Sequence, residues 1–347
     1  MELRSISKVV ATAAVVMALG VSAGDADAKT LKVQASSKAG DWAHRFMTDT
    51  WAPKLGAMTN GAIKLDVLPT KAVVPHRETI DAVANGILDG DLNAVSYFSG
   101  RDPAFAIIGD LIAGYDTVDQ VRTFCMHAGG KEILQKLYDK YTKGKVHVVG
   151  CGPYAKEAFV STIPIRTIAD MKGVKVRSPE GLAAEVFKRA GAAPVSLPFS
   201  EVYTALEKGV IDAADASAHV NNHASGMYKV AKFPIYPGIH SMAVLQFIVN
   251  KKVWDKLGKE GQTALEVWYS AAYDAMRRDA DLQDRAIAAE QRAGKDIEVI
   301  DWTTEERAKF REIAVEAWYD FAKKSPLAQE ALDAHLKYMR SVGLLKN

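Results

Sequence analysis

The feature that most limits what this chain can fold into is an order of elements that occurs twice. TLKVQAS alternates Leu31, Val33 and Ala35 as a half-buried strand does, and 42–55 reads as a helix. AIKLDVLP then returns to strand, and a second helix starts at Val74-Pro75 and stops at Gly86. Further on, VKVR is followed by a helix over about 180–190, a strand APVSLP, and a helix capped by Ser200 and stopped by Gly209. Strands alternating with helices specify mainly parallel sheets. The halves also match in residues: NGILDGDL at 85–92 and KGVIDAAD at 208–215 each carry a glycine, two apolar residues and an aspartate in that order. Gly86 and Gly209 suit the left-handed turn that closes a helix. Duplication of one unit and convergence on one helix-to-strand grammar both produce this pattern, and both predict two similar α/β lobes.

Length agrees with two lobes. The start of the chain carries Arg4 and Lys8, the apolar run VVATAAVVMALGVSA and a small-residue site at Ala26-Asp27-Ala28, the layout of a secretory leader peptide over 1–28. Its apolar run is shorter than the about 20 residues of a membrane span, and nothing later approaches that length, so an exported, periplasmic protein cleaved near Ala28 is expected. Without those 28 residues the 347-residue chain keeps 319, more than the roughly 250 to 300 at which one core stops growing. Removing Arg4, Lys8, Glu2, Asp25 and Asp27 takes 44 basic and 42 acidic residues to 42 and 39, a formal charge of +3, which predicts no nucleic acid partner.

No low-complexity linker divides the chain, so the lobes are expected to interweave. KVHVVGCGPY (145–154) and SMAVLQFIVN (241–250) are apolar strands suited to crossing between lobes as a hinge. The division expected is 29–150 with about 241–275 for one lobe, and 151–240 with about 276–347, including the C-terminal helices, for the other. A long helix over 259–293 carries Trp268, Tyr269 and Tyr273, read as core, and two further helices meet at Ser325-Pro326. Export permits Cys125 and Cys151 to pair, but spacing alone does not place them together.

Ligands of open α/β sheets bind outside the carboxyl ends of the strands, and Arg177 ends the strand VKVR. A guanidinium in a cleft gives a planar carboxylate two parallel hydrogen bonds. The structural alternative is a salt bridge to Glu157, Glu180 or another acid.

Four stretches, LPTKAVVPHRETIDAVANGILDG, IADMKGVKVRSPEG, PVSLPFSEVYTALEKGVIDAAD and YKVAKFPIYPGIH, resemble in order and spacing the solute-binding proteins of tripartite ATP-independent periplasmic (TRAP) transporters, the DctP-like family. The resemblance covers nearly the whole chain after the leader. It implies a two-lobed periplasmic binding protein fold with mixed, mainly parallel sheets, hinge strands and a long helix spanning both lobes. It implies that an arginine at the position of Arg177 holds the substrate carboxylate and that membrane transporter subunits receive the ligand. YKVAKFPIYPGIH and LDGDLNAVSYF look most like the branch binding 2-oxo acids and lactate, some members of which use a metal ion and can dimerise through C-terminal helices. By that likeness Tyr97 falls on a ligand-contacting tyrosine, Glu157 on a metal-binding glutamine and Asp215 on an acidic ligand, which would make Glu157 and Asp215 the metal donors for a divalent or sodium ion.

Two departures accompany it. Asp215-Ala216-Ser217 replaces an acid followed by tryptophan, opening space at Ala216, and His240-Ser241 puts a serine where the branch has a second acidic ligand. His219, Asn221, Asn222 and His223 follow, and Asn221 or His219 is expected to contact the ligand through groups suited to hydroxyl or carbonyl recognition. The function implied is capture of a small organic acid, a monocarboxylate of 2-oxo or 2-hydroxy type, without a catalytic cofactor. A ligand-sensing subunit of the same fold is the alternative. A lyase or hydrolase built on Glu157, Asp215, His219 and His240 finds no support in motifs: H-E-x-x-H, Walker and dinucleotide patterns do not occur, and G-x-S-x-G occurs only at 20–24, inside the expected leader.

Overall fold

In the computed structural model, residues 28–239 and 241–345 are described; the expected leader up to residue 27, His240 and residues 346–347 lie outside them. Among the described residues nine strands form two sheets. The first contains β1 (Lys29–Ala35), β2 (Ile63–Leu68), β3 (Gly90–Ala94), β4 (Val146–Gly152) and β9 (Leu245–Asn250), in the order β2-β1-β3-β9-β4. The second contains β5 (Phe159–Ser161), β6 (Lys175–Ser178), β7 (Ala193–Ser196) and β8 (Ala213–Asp215), in the order β5-β8-β6-β7. Parallel pairing joins β1 to β2 and β3, and β6 to β7 and β8, while β9 and β5 run antiparallel to their neighbours. Both sheets are therefore mixed, as the fold class implied.

The repeat seen in the sequence is reproduced in atomic detail. Gly86 and Gly209 both close their helices with positive φ, 76° and 66°. Each is followed by an exposed apolar residue, Ile87 or Val210, and a fully buried one, Leu88 or Ile211. The next residue clamps a neighbouring strand. Asp89 accepts from the Lys32 amide at 2.9 Å and donates its own amide to the Lys32 carbonyl at 2.9 Å. Asp212 does the same with Lys175, again at 2.9 Å each way. A carboxylate and an amide acting on one residue fix the parallel register at the same point in each lobe.

The helix expected from Val74-Pro75 begins later, at Thr79. The Gln34 side chain explains the delay: it accepts from the amides of Val73 and Val74 at 2.8 and 3.2 Å and donates to the Val74 carbonyl at 2.8 Å, holding those residues in a turn. Three helices between β3 and β4, Ala104–Gly109, Val118–His127 and Gly130–Thr142, complete the first lobe and were not anticipated. Thr117 and Gln120 cap the second of them reciprocally.

β4 and β9 lie side by side, with Gly152 opposite Leu245, so the two chain passages between the sheets leave the first sheet together. The helix Gly258–Ala293 runs across both halves. Its Trp268 Nε1 donates to the Trp51 carbonyl at 2.7 Å and its Tyr269 hydroxyl to Leu245 at 2.9 Å, while further along Asp284 accepts from the Val220 amide at 2.6 Å. Trp268, Tyr269 and Tyr273 are buried in the core. The C-terminal helices divide their contacts. Phe310 of Thr304–Ala322 packs on Phe187 of the second lobe, with ring centres 5.9 Å apart, and His335 of Pro326–Ser341 meets the Tyr115 hydroxyl of the first at 2.7 Å. Cys125 and Cys151 are buried free thiols, and Cys151 Sγ lies 3.8 Å from the Cys125 carbonyl as a weak donor.

Candidate functional site

Arg177 sits on β6, the second sheet's strand flanked by β7 and β8, and its guanidinium reaches over the carboxyl ends of both neighbours. Nε donates to the Leu197 carbonyl just beyond β7 at 2.8 Å, and Nη1 to the Asp215 carbonyl ending β8 at 2.6 Å. The residue is 3 % exposed, and Nη2 has no hydrogen-bond partner among the described residues. Among the described residues neither Glu157 nor Glu180 forms an ion pair with it; Glu180 pairs with Arg77 instead. The backbone thus fixes the base of the guanidinium, and the residue lines a cavity between the lobes. Because the single Nε hydrogen is already engaged, an anion arriving there meets the terminal nitrogens.

The cavity draws its walls from both sheets and from the long helix. Tyr97, Glu157, Arg177, Asp215, Ala216 and Asn221, all singled out from the sequence, line it. His219 does not. Its Nε2 meets Gln291 Oε1 at 2.7 Å and its Nδ1 meets the Tyr228 hydroxyl at 2.6 Å, so both ring nitrogens are engaged inside the second lobe, and burial lowers its pKa to about 4. Asn221, two residues on, works between lobes: Oδ1 accepts from the Ala43 amide at 3.1 Å and Nδ2 donates to Ser217 Oγ at 3.2 Å. Tyr97 presents its ring edge-on to His76 with centres 4.7 Å apart.

The sequence reading missed Asp110, which follows the helix Ala104–Gly109 and also lines the cavity. It accepts from the Ser241 hydroxyl and from the Met242 amide at 3.4 Å. The serine noted as a lost acid thus holds an aspartate from a distant part of the chain. An aspartate ending an apolar helix was the only trace of it in the sequence. Tyr273 and Met276, read as core positions or passed over, add apolar wall.

Three carboxyl groups, Asp110, Glu157 and Asp215, therefore share the cavity with one guanidinium. Burial pushes Asp110 up to about 8, with the Asp215 charge adding to the shift. Burial likewise raises Glu157 well above the usual carboxylate range, helped by the charge of Asp215 and a side-chain hydrogen bond to it, and opposed by Arg177.

Calcium takes six to eight oxygen ligands from carboxylates and carbonyls. Among the described residues Glu157 and Asp215 bring carboxyl oxygens to the cavity and Ser241 turns its hydroxyl to Asp110, while no group of three His, Cys, Asp or Glu stands where it could hold a metal ion. No helix among the described residues is long and apolar enough to cross a membrane.

Comparison with known proteins agrees with the fold. The profile of the bacterial extracellular solute-binding proteins, family 7, matches residues 35–325. A monocarboxylate 2-oxoacid-binding periplasmic protein from Nostoc is 30% identical over 233 residues, 65% of this chain and 61% of that protein. A TRAP periplasmic solute-binding protein from Rhodobacter sphaeroides, solved in an open form without ligand, is 38% identical with a TM-score of 0.75, covering 92% of this chain and 100% of that one. Another from Colwellia psychrerythraea, solved with calcium and pyruvate, shares the fold with a TM-score of 0.78 at 23% identity, over 91% of this chain and 96% of that one. With the family profile spanning most of its length, this chain belongs to the family 7 bacterial extracellular solute-binding proteins, the DctP-like periplasmic components of TRAP transport systems.

Proposed function

We propose that this protein captures a small monocarboxylate bearing a polar 2-substituent, of 2-oxo or 2-hydroxy type, between its lobes and presents it to TRAP membrane subunits from the periplasm. The observation that carries this reading is the buried Arg177 guanidinium, fixed by two backbone carbonyls, with Nη2 left unpartnered at a cavity walled by both lobes. An unpaired buried donor costs about 1–3 kcal/mol, more when charged, and a carboxylate removes that cost. Tyr97 and Asn221 supply polar groups from the opposite lobe and from the interlobe junction, so a bound acid touches both halves. Contacts of that kind favour the closed form, since only differential affinity shifts such an equilibrium. The Nostoc relative's 2-oxoacid binding supports the ligand type.

The test is a thermal-shift screen of the chain from Lys29 onward, denatured and refolded to remove carried-over ligand, against small mono- and dicarboxylates with and without calcium. A monocarboxylate is expected to raise the melting temperature most and to be recovered chemically unchanged. A screen without a carboxylate hit, or turnover that disappears in a Glu157 or Asp215 variant, overturns the reading.

A further inference from the structure

Beside the main cavity lies a second pocket shared by both lobes, with Val74, His76 and Arg77 on one side and Pro198 and Glu201 on the other. The two spaces adjoin. Phe199 and Glu180 line the main cavity, while Pro198, next to Phe199, and Arg77, the ion-pair partner of Glu180, line the smaller one. On the side of the first lobe the divider is a pair of rings: Tyr97, on the main cavity, stands edge-on to His76, on the smaller pocket.

His76 is held firmly by its backbone and left open at its side chain. Its carbonyl accepts from Asn93 Nδ2 at 2.7 Å and from Thr79 Oγ1 at 3.3 Å, and Gln34 pins Val73 and Val74 just before it. The side chain is only 9 % exposed, yet neither ring nitrogen has a hydrogen-bond partner among the described residues. Burial, with the charges of Arg77 and Lys71, lowers its pKa to about 4, so at neutral pH one nitrogen is a donor and the other an acceptor. A ring needed only for its shape carries no such cost, because a buried donor or acceptor left unpaired is unfavourable until something pairs it.

We propose that the cleft takes an acid long enough to pass Tyr97, and that His76 recognises a neutral polar group at its far end, a hydroxyl or a carbonyl, while Arg177 holds the carboxylate. The inference rests on the carboxylate-receptor reading and specifies the other end of the same ligand. A hydroxyl suits a neutral imidazole because each is both donor and acceptor, so it pairs with either nitrogen. A second carboxylate suits it less: it can use only the ring N–H, and the nearby cations Arg77 and Lys71 are already paired with Glu180 and Glu201. Tyr97 and Phe199 give the chain between the two ends aromatic walls.

Calorimetry at neutral pH on three pairs of acids of increasing reach tests this: 2-hydroxybutanoate against 2,4-dihydroxybutanoate, 2-hydroxypentanoate against 2,5-dihydroxypentanoate, and phenyllactate against 4-hydroxyphenyllactate. In at least one pair the acid with the distal hydroxyl is expected to bind at least about fivefold tighter. His76→Phe keeps a ring against Tyr97 and removes both nitrogens, so that advantage should shrink to less than about twofold while the plain acid stays within about threefold of its wild-type affinity. His76→Ala gives the same comparison if melting curves show that the phenylalanine variant does not fold. Plain acids that bind with no gain from any distal hydroxyl, or a gain that persists without the imidazole, overturn the inference and leave the carboxylate receptor standing. Binding that survives Arg177→Ala unchanged, or no binding by any of the compounds, removes the anchor and the inference together.

Discussion

Two groups of buried polar side chains, one in each half of the molecule, contain the same chemistry and behave in opposite ways. Beneath the first sheet, Asp91 accepts from Thr79 Oγ1 and from Gln246 Nε2 at 2.9 Å, Asn93 donates to Thr79 Oγ1 at 3.1 Å, and the Tyr138 hydroxyl completes Gln246. Every member is supplied from within. At the mouth of the second sheet, Arg177 ends in a nitrogen with no partner among the described residues, at a cavity that Asp110 and Glu157 also line. Burial does not separate the two, since Asp91 is fully buried and Arg177 is 3 % exposed. What separates them is completeness: a satisfied network specifies a core, and an unsatisfied one marks where a ligand completes it. The histidines repeat the contrast. His219 has partners on both nitrogens, whereas His76, beside Tyr97, has none on either.

The largest effect is expected at the incomplete cluster. Arg177→Lys keeps the charge but replaces a planar fork with a point donor, so loss of two charge-assisted bonds should weaken carboxylate binding by about a hundredfold or more, on the order of 3 kcal/mol. The same arginine also holds Leu197 and Asp215 through their carbonyls, so the ligand-free melting temperature should fall as well. Affinity rather than melting therefore decides, and calorimetry showing near-native binding in the lysine variant breaks the comparison.

The complete cluster should answer with stability instead of affinity. Burial raises Asp91 to about 6, against the opposing hydrogen bonds from Thr79, Gln246 and Asn93. Its folded pKa lies above its unfolded one, so the native state binds more protons between pH about 4 and 6, and this group's contribution is full below that window and lost as the pH rises through it. The change amounts to at most about 3 kcal/mol. Asp91→Asn, which stays neutral, should flatten the corresponding slope in urea midpoints measured from pH 4 to 7, while ligand affinity stays within about threefold. An unchanged slope, or a large loss of binding, would show that the two clusters are not independent.

Much of this was legible in the sequence because it is local. The glycine–apolar–apolar–aspartate repeat fixed two equivalent junctions, and strand VKVR placed Arg177 at a carboxyl end, since both depend on neighbours a few residues apart. What was not legible depends on distant partners. Asp110 is held by Ser241 across 131 positions, and nothing near either residue announces the other. His219 stood in a polar run that looked like a cleft segment, yet Gln291, 72 positions on, engages it inside the lobe. The late start of the helix at Thr79 has the same origin, a side chain from β1 capturing backbone 40 positions away.

The smallest effect is expected at the rim, and it tests what closes the cavity. Lys71 Nζ lies 3.0 Å from Glu201 Oε1, and Arg77 pairs with Glu180, so two ion pairs cross from the first lobe to the second. Seen as contacts alone, they resemble a latch. All four side chains are nearly half exposed, between 40% and 49%. Exposed pairs contribute about 0–1 kcal/mol, and salt at physiological strength screens them over about 8 Å. Such pairs orient the closed form without driving it. The combined variant Lys71→Gln with Glu180→Gln should therefore change the dissociation constant of the best carboxylate by less than about fivefold at 0.15 M salt, and by less again at 0.5 M. If the double variant instead loses affinity on the scale expected for Arg177→Lys, and loses it equally at both salt concentrations, closure is held at the rim and the incomplete cluster is not its source.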